Sequence, residues 1–446
     1  MTPQDLSAAL LDAAKRAGAE DADALAIRST DIGISVRGGA LEEAESAESL
    51  DYGLRVLIGR KQASVSASDP SLAVVRELAE RAVAMAREAP DDPWCGLPDG
   101  ALLADPAQIP DLELVDTGAP PDPPTLRALA ERAEAAALDM DGVAQVESAG
   151  AGWRSSDIAF AASNGFAGQY ARTGTSLSVS AVAGEGLGME TDYDFASRIW
   201  FADLPEPEEI GRLAGTRAAE RLNPRKAKTG AYPVLFDQRA AGSLIGHVMA
   251  AINGGAVARG ASWLKDAMGE AVLPSGFSLT DDPHRPRGAG SRPFDGEGMA
   301  MAPRALIDDG VLLGWVMDSA TARQLGQRAP GGARRGVGSP PSPGTSNLAL
   351  TEGKDDRAAL IRDMGEGLIV TSLIGSSISA TTGAYSRGAS GFWVENGEIA
   401  YPVNELTIAG SLPDFIKRLV AGNDADRTKS LIVPSLLVEG LTVASG

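Results

Sequence analysis

Residues 36–59, VRGGALEEAESAESLDYGLRVLIG, alternate apolar and polar side chains around Gly38-Gly39. Alternation at a period of two puts one row of side chains on each face of a sheet, and paired glycines supply the turn. Residues 162–184, ASNGFAGQYARTGTSLSVSAVAG, run in the same order. Both stretches read as strand, Gly turn, strand, strand. Before the first comes MTPQDLSAALLDAAKRAGAEDA, with Leu6, Leu10, Leu11 and Ala14 at helical spacing, and after it a helical pattern over 72–88. The second is likewise bracketed, by PPTLRALAERAEAAALDMD and PEEIGRLAGTRAAERL. A repeated order of helix, strands and helix predicts an internal duplication forming a two-layer α/β domain over residues 1–222.

In NPRKAKTGAY, residues 223–232, Pro224, Gly230 and a basic cluster interrupt both periodicities, which places the domain boundary there. Beyond it, YPVLFD reads as a strand and QRAAGSLIGHVMAAINGGAVA as a helix ended by Gly254 and Gly255. Hairpin signals then dominate, with ALIDDGVLLGWVMD turning at Asp309-Gly310 and GFWVENGEIAYPV at Asn396-Gly397. Asx-Gly suits a type I′ turn, in which both central residues need positive φ. The fold class is therefore α+β: an amino-terminal α/β domain and a mainly β domain over 223–446, with a few helices such as DRAALIRDM and LPDFIKRLV. Two Pro/Gly-rich stretches, 281–298 and 326–347, read as long loops, either mobile at the surface or lining a substrate passage or interface.

Forty basic against sixty acidic residues leave a net charge of −20, which opposes nucleic acid and anionic bilayers as partners. No run reaches the roughly 18 apolar residues of a membrane-spanning helix. The amino terminus, with Asp5, Asp12 and Lys15, reads as an amphipathic helix and not a signal peptide. A single cysteine, Cys95, excludes an intrachain disulfide and fits a reducing, cytoplasmic setting.

The chain is poor in groups for covalent or metal chemistry. Its only imidazoles are His247 and His284, far apart in sequence from each other and from Cys95, so no metal-ligand spacing is present. No catalytic residue and no cofactor site is expected in this chain. His247 in SLIGHVMAAI reads as a helix-face residue, and His284 as a loop residue. Asp91 and Asp92 beside Cys95 would raise its pKa, the reverse of what a nucleophilic thiolate needs. The glycine-rich segments do not link a strand to a helix in the way phosphate cradles do.

Segments 232–266, 307–326, 391–412 and 434–445 resemble the TldD/TldE peptidase family, and VRGGALEEAESAES and GLRVLIG extend the likeness to the amino-terminal half. The chain is similar to its TldE (PmbA) branch. In the TldD branch an HExxxH motif and a later cysteine hold a metal. Matched through ARGAS, this chain has Ile245, Gly246 and Ala250 at those three positions, with His247 between them. Residues 422–434, GNDADRTKSLIVP, contain no cysteine.

The resemblance implies a non-catalytic subunit that pairs with a metal-bearing TldD-like partner to cut unfolded or flexible peptides, as in peptide maturation or antitoxin degradation. A homodimer in isolation is also open. Residues that could meet peptide or partner are His247, Arg334, Arg335, Tyr385, Arg387, Trp393 and Tyr401, with Trp393 and Tyr401 reading equally as core aromatics, and a β-rich domain offers strand edges that extended chains can join. The alternatives are a stand-alone peptidase with an unrecognised site and a peptide-binding homodimer without hydrolytic activity.

Overall fold

Thr2 caps the first helix by accepting the Asp5 N–H, while the Asp5 carboxylate accepts the Thr2 N–H in return. The computed structural model describes residues 1–445. That helix, α1 (Pro3–Ala17), leads into β1 (Asp21–Arg37), β2 (Ala40–Ile58), β3 (Lys61–Ala67) and α2 (Leu72–Glu88). The run returns as α3 (Pro123–Leu138), β4 (Val143–Ala162), β5 (Ala167–Ala183), β6 (Glu190–Arg198) and α4 (Pro207–Glu220). Its six strands form one antiparallel sheet in the order β3-β2-β1-β4-β5-β6, symmetric about the β1–β4 pair.

The duplication is thus a feature of the fold, with one correction. Residues 40–58 are a single strand, not two, because β2 pairs with β1 almost end to end and backbone bonds carry it through the exposed acidic stretch, and residues 167–183 are likewise one strand, paired along β4. All four helices lie on one face. Leu6, Leu10, Leu78 and Val83 pack on Ala24, Leu54 and Val56, and Leu126, Ala130 and Ala214 pack on Ala151, Leu177 and Val179.

The rest begins with β7 (Gly230–Phe236), α5 (Gln238–Ala251) and α6 (Gly254–Ala258). The single helix expected over 238–258 is therefore two. Asn253 caps α6 by accepting the Gly255 and Ala256 N–H groups, so the glycines open a helix instead of closing one. Glycine is required at 254 because an added Cβ would lie 2.7 Å from the Thr321 side chain.

Next come β8 (Leu279–Asp281), β9 (Arg304–Asp308), β10 (Val311–Leu312), α7 (Ser319–Gln324), β11 (Ala333–Arg334), β12 (Ser342–Pro343), β13 (Leu348–Leu350) and α8 (Arg357–Met364). The chain finishes with β14 (Gly367–Ile378), β15 (Ala384–Glu395), β16 (Glu398–Ser411), α9 (Leu412–Phe415), β17 (Val420–Ala421), β18 (Leu431–Ile432) and β19 (Leu436–Ser445). Both expected Asx-Gly turns are present, with φ of 44° at Asp309 and 52° at Asn396.

Strands β16-β15-β14-β7-β19 pair in sequence and β19 returns to β16, closing a barrel. Against it the apolar stripe of α5 buries Leu244, Ile245 and Val248, together with Phe236, Trp393 and Phe415. Each such side chain stabilises the fold by about 1.5–3 kcal/mol. Closure also removes most of the strand edges expected of this domain. Among the described residues no helix is long and apolar enough to cross a membrane.

Loops from the second half cover part of the sheet face opposite the helices. Phe160 and Phe166 meet Phe294 there, with Phe166 and Phe294 edge-on at 5.0 Å. At Gly53 the approach is closest: a Cβ would fall 1.6 Å from the Val337 carbonyl oxygen.

Candidate functional site

Asp237 starts α5 by accepting the Arg239 and Ala240 N–H groups at 3.0 and 3.1 Å. With the helix phase set, Ile245 points into the core and is fully buried, whereas Gly246 and Ala250 face outward. These are the positions matched to the family's metal motif, and none offers a donor atom. Among the described residues no group of three or more His, Cys, Asp or Glu side chains could hold a metal ion. The residues present do not fit a transition-metal centre.

His247, half-buried, meets Tyr385 edge-on at 5.8 Å, and Tyr385 in turn meets Phe415 at 5.5 Å. Burial, helped by the charge of Arg387, lowers the His247 pKa, so the imidazole is neutral near pH 7. Burial also pushes the Tyr385 hydroxyl up to about 12. His247 Nε2 and Tyr385 Oη are buried without a protein hydrogen-bond partner. Arg387 is held by the Gly375 carbonyl at 2.8 Å.

The other expected surface residues fare differently. Trp393 is a core side chain, fully buried and edge-on to Tyr232 at 4.8 Å, and Tyr385 is 2% exposed; neither presents a surface. Tyr401 remains half-exposed beneath the Arg225 guanidinium. Arg334 is exposed and donates twice to the Thr345 carbonyl, bracing the β11–β12 hairpin. Arg335, its neighbour, does not present its side chain to the surface: the side chain is 1% exposed and ion-paired to Asp23. Within the 326–347 stretch the short β11–β12 hairpin forms, and Arg335 and Val337 lie against the sheet. His284 is half-buried, and burial together with Asp92 raises the pKa of the Cys95 thiol.

Asp23, on β1, centres a buried charge network. It accepts from Arg55 Nε of β2 at 2.9 Å and from Arg335. Burial opposes its charge, but Arg335 and Arg55 outweigh that and hold the carboxyl below its usual range. Nearby, Asp295 accepts four backbone N–H groups, from Glu297, Met299, Gly332 and Ala333, at 2.8–3.0 Å. Glu297 accepts the Ser319 N–H at 2.8 Å, and burial plus the Asp295 charge push its pKa up to about 7. Sequence reasoning passed over these acids, although Asp23 in DADALAI and Arg55 in GLRVLIG are charges set within apolar strands.

Likeness to known proteins extends along nearly the whole chain. The PmbA/TldA metallopeptidase domain 1 profile matches residues 22–86, the central domain 116–222 and the C-terminal domain 229–445. Metalloprotease PmbA of Escherichia coli O157:H7 is 36% identical over 95% of this chain and 92% of its own length. A Metalloprotease PmbA homolog of Haemophilus influenzae is 34% identical over 97% and 94%. Among solved structures, a Bacteroides thetaiotaomicron protein described as a candidate modulator of DNA gyrase superposes with a TM-score of 0.91. It shares 26% identity and covers 99% of this chain and 98% of its own. TldE from Thermococcus kodakarensis, 20% identical, shares the fold with a TM-score of 0.84 over 99% of this chain and all of its own.

Proposed function

Since the chain belongs to the PmbA/TldD metallopeptidase family, we propose that it is the non-catalytic subunit of a peptidase whose metal is carried by a TldD-like partner. The observation that carries this reading is α5. Ile245 faces the barrel core and Gly246 and Ala250 carry no ligand atom, so the helix that would hold the metal instead packs as a structural element. His247 adds a lone neutral imidazole beside Tyr385 and Arg387, and an adjacent cation disfavours a second positive charge.

In this reading the chain shapes the access of unfolded or flexible peptides to the partner's site, in the cytoplasm. Such substrates suit a surface that binds backbone more than particular side chains. The test is hydrolysis of an unstructured peptide by the purified chain, by a metal-bearing TldD-like subunit, and by their mixture, with size-exclusion chromatography of each. Cleavage that is fast only in the mixture, together with a co-eluting heterodimer, supports the subunit reading. Cleavage by this chain alone would overturn it.

A further inference from the structure

Where the loop cover on the sheet ends, two cavities open side by side. The first, about 380 Å³, is lined by Arg154 on β4, Arg172 on β5, Arg198 at the end of β6 and Arg287 from the 281–298 stretch, with Ser197 and Thr428 among them. No carboxylate lines it among the described residues, in a chain of net charge −20. Asp31 lies 2.9 Å from Arg154, and Glu113 and Asp203 lie 2.8 and 2.9 Å from Arg287, so these two cations are partly neutralised from outside. Arg172 and Arg198 are not. Their contacts are to the backbone carbonyls of Ala289 and Ser197, at 2.8 and 3.0 Å, which leave most of each five-donor fork unused. Asp426, already engaged by Thr428 and Lys429, adds only a longer-range field to Arg198.

The second cavity is a trough of about 570 Å³ walled mainly by Ile109, Leu112, Leu114, Val115, Tyr170 and Trp200, with Asp111 and Glu113 also in its lining, the latter already paired to Arg287. Between the two stands a clasp. The Arg287 guanidinium lies 4.2 Å over the Trp200 ring, Trp200 Nε1 donates to the Glu113 carbonyl at 2.9 Å, and the Arg287 N–H donates to the Leu112 carbonyl at 2.9 Å. Glu113 and Arg287 both hold left-handed backbone, with φ of 49° and 53°. Non-glycine residues adopt that conformation where surrounding contacts impose it, often beside a ligand.

We propose that the two cavities together hold an extended peptide, with an apolar side chain in the trough and a neighbouring carboxylate in the arginine pocket. Guanidinium forks match carboxylates in shape as well as charge, and the apolar wall alongside favours a peptide over a free inorganic anion. The inference rests on the peptide-handling reading above and names a substrate class for it: segments that set an acidic group next to an apolar one.

Fluorescence anisotropy on the full-length chain tests this with a labelled unstructured peptide carrying leucines followed by glutamates, against its glutamine counterpart. The expected result is about tenfold tighter binding of the glutamate peptide, a margin that narrows at high salt. In the double variant Arg172→Gln with Arg198→Gln the margin disappears while the melting temperature is kept. If that variant melts early, the salt dependence of the unmodified chain decides. Amidating the terminus of both peptides removes the carboxylate they share: the margin is expected to survive, which assigns it to the glutamate side chains, and its loss would overturn the proposal. Equal binding of the two peptides, a margin retained in the double variant, or displacement of the peptide by inorganic phosphate at equal concentration would overturn it. Because the assay needs no partner, a mixture that cleaves normally without acid preference sinks this inference alone. An inactive mixture with the preference intact sinks only the subunit reading.

Discussion

The outer face of α5 and the junction beneath the loop cover invert each other. On α5, at the three positions that the resemblance matches to a metal motif, the side chains are an isoleucine in the core, a glycine and an alanine. At the junction, which the sequence marks only by charges set within apolar strands, the side chains of Asp23, Arg55, Arg335, Asp295 and Glu297 are almost wholly buried. Ionised groups are costly to bury unless each has partners. The contrast teaches that ionic chemistry in this chain has gone into joining its halves, while α5 serves the packing of the barrel.

The largest test of that contrast is Asp23→Ala, which leaves two buried guanidiniums without their shared carboxylate. We expect a loss of about 3–5 kcal/mol in denaturant unfolding; a loss under about 1 kcal/mol would mean the network is incidental. Next is pH. The folded pKa of Glu297 lies above its unfolded value, so the folded state binds the extra proton. Stability should therefore fall as pH rises from about 4.5 toward about 7, by a few kcal/mol at most, and Glu297→Gln should flatten this slope.

On α5 the effects should shrink. Ile245→His puts a polar ring into the barrel core and should cost about 1–3 kcal/mol, whereas Ala250→His, outward-facing, should stay within about 0.5 kcal/mol. Smallest is His247. Its folded pKa is depressed, so its contribution is present above the unfolded value near 6.5 and is lost as pH falls below it. That slope is opposite in sign to that of Glu297, and His247→Gln should remove it. Urea titrations between pH 4 and 8 resolve both slopes.

What could be read from sequence is what is local. Helix α2 lies where its periodicity places it, over Leu72–Glu88, and both Asx-Gly hairpins turn as their residues require. What could not be read depends on distant partners. Barrel closure rests on pairs such as Leu235 with Leu437, which no window of sequence contains. Arg335 read as loop surface because Gly and Pro surround it, yet its partner Asp23 stands 312 positions earlier. Tyr385 read as surface and Trp393 stood open between surface and core likewise, since an aromatic on an alternating strand faces one or the other according to a register set elsewhere.

Barrel closure also sets an order of events. Each half of the duplicated sheet can assemble from neighbours in the chain, whereas β7 waits for β19, about two hundred residues later. On the ribosome the amino-terminal sheet would be complete while β7 and β16 still lack their last neighbour, with their backbone edges unprotected. The interval before residues 436–445 emerge is therefore when this chain is most exposed to mispairing and most in need of a chaperone.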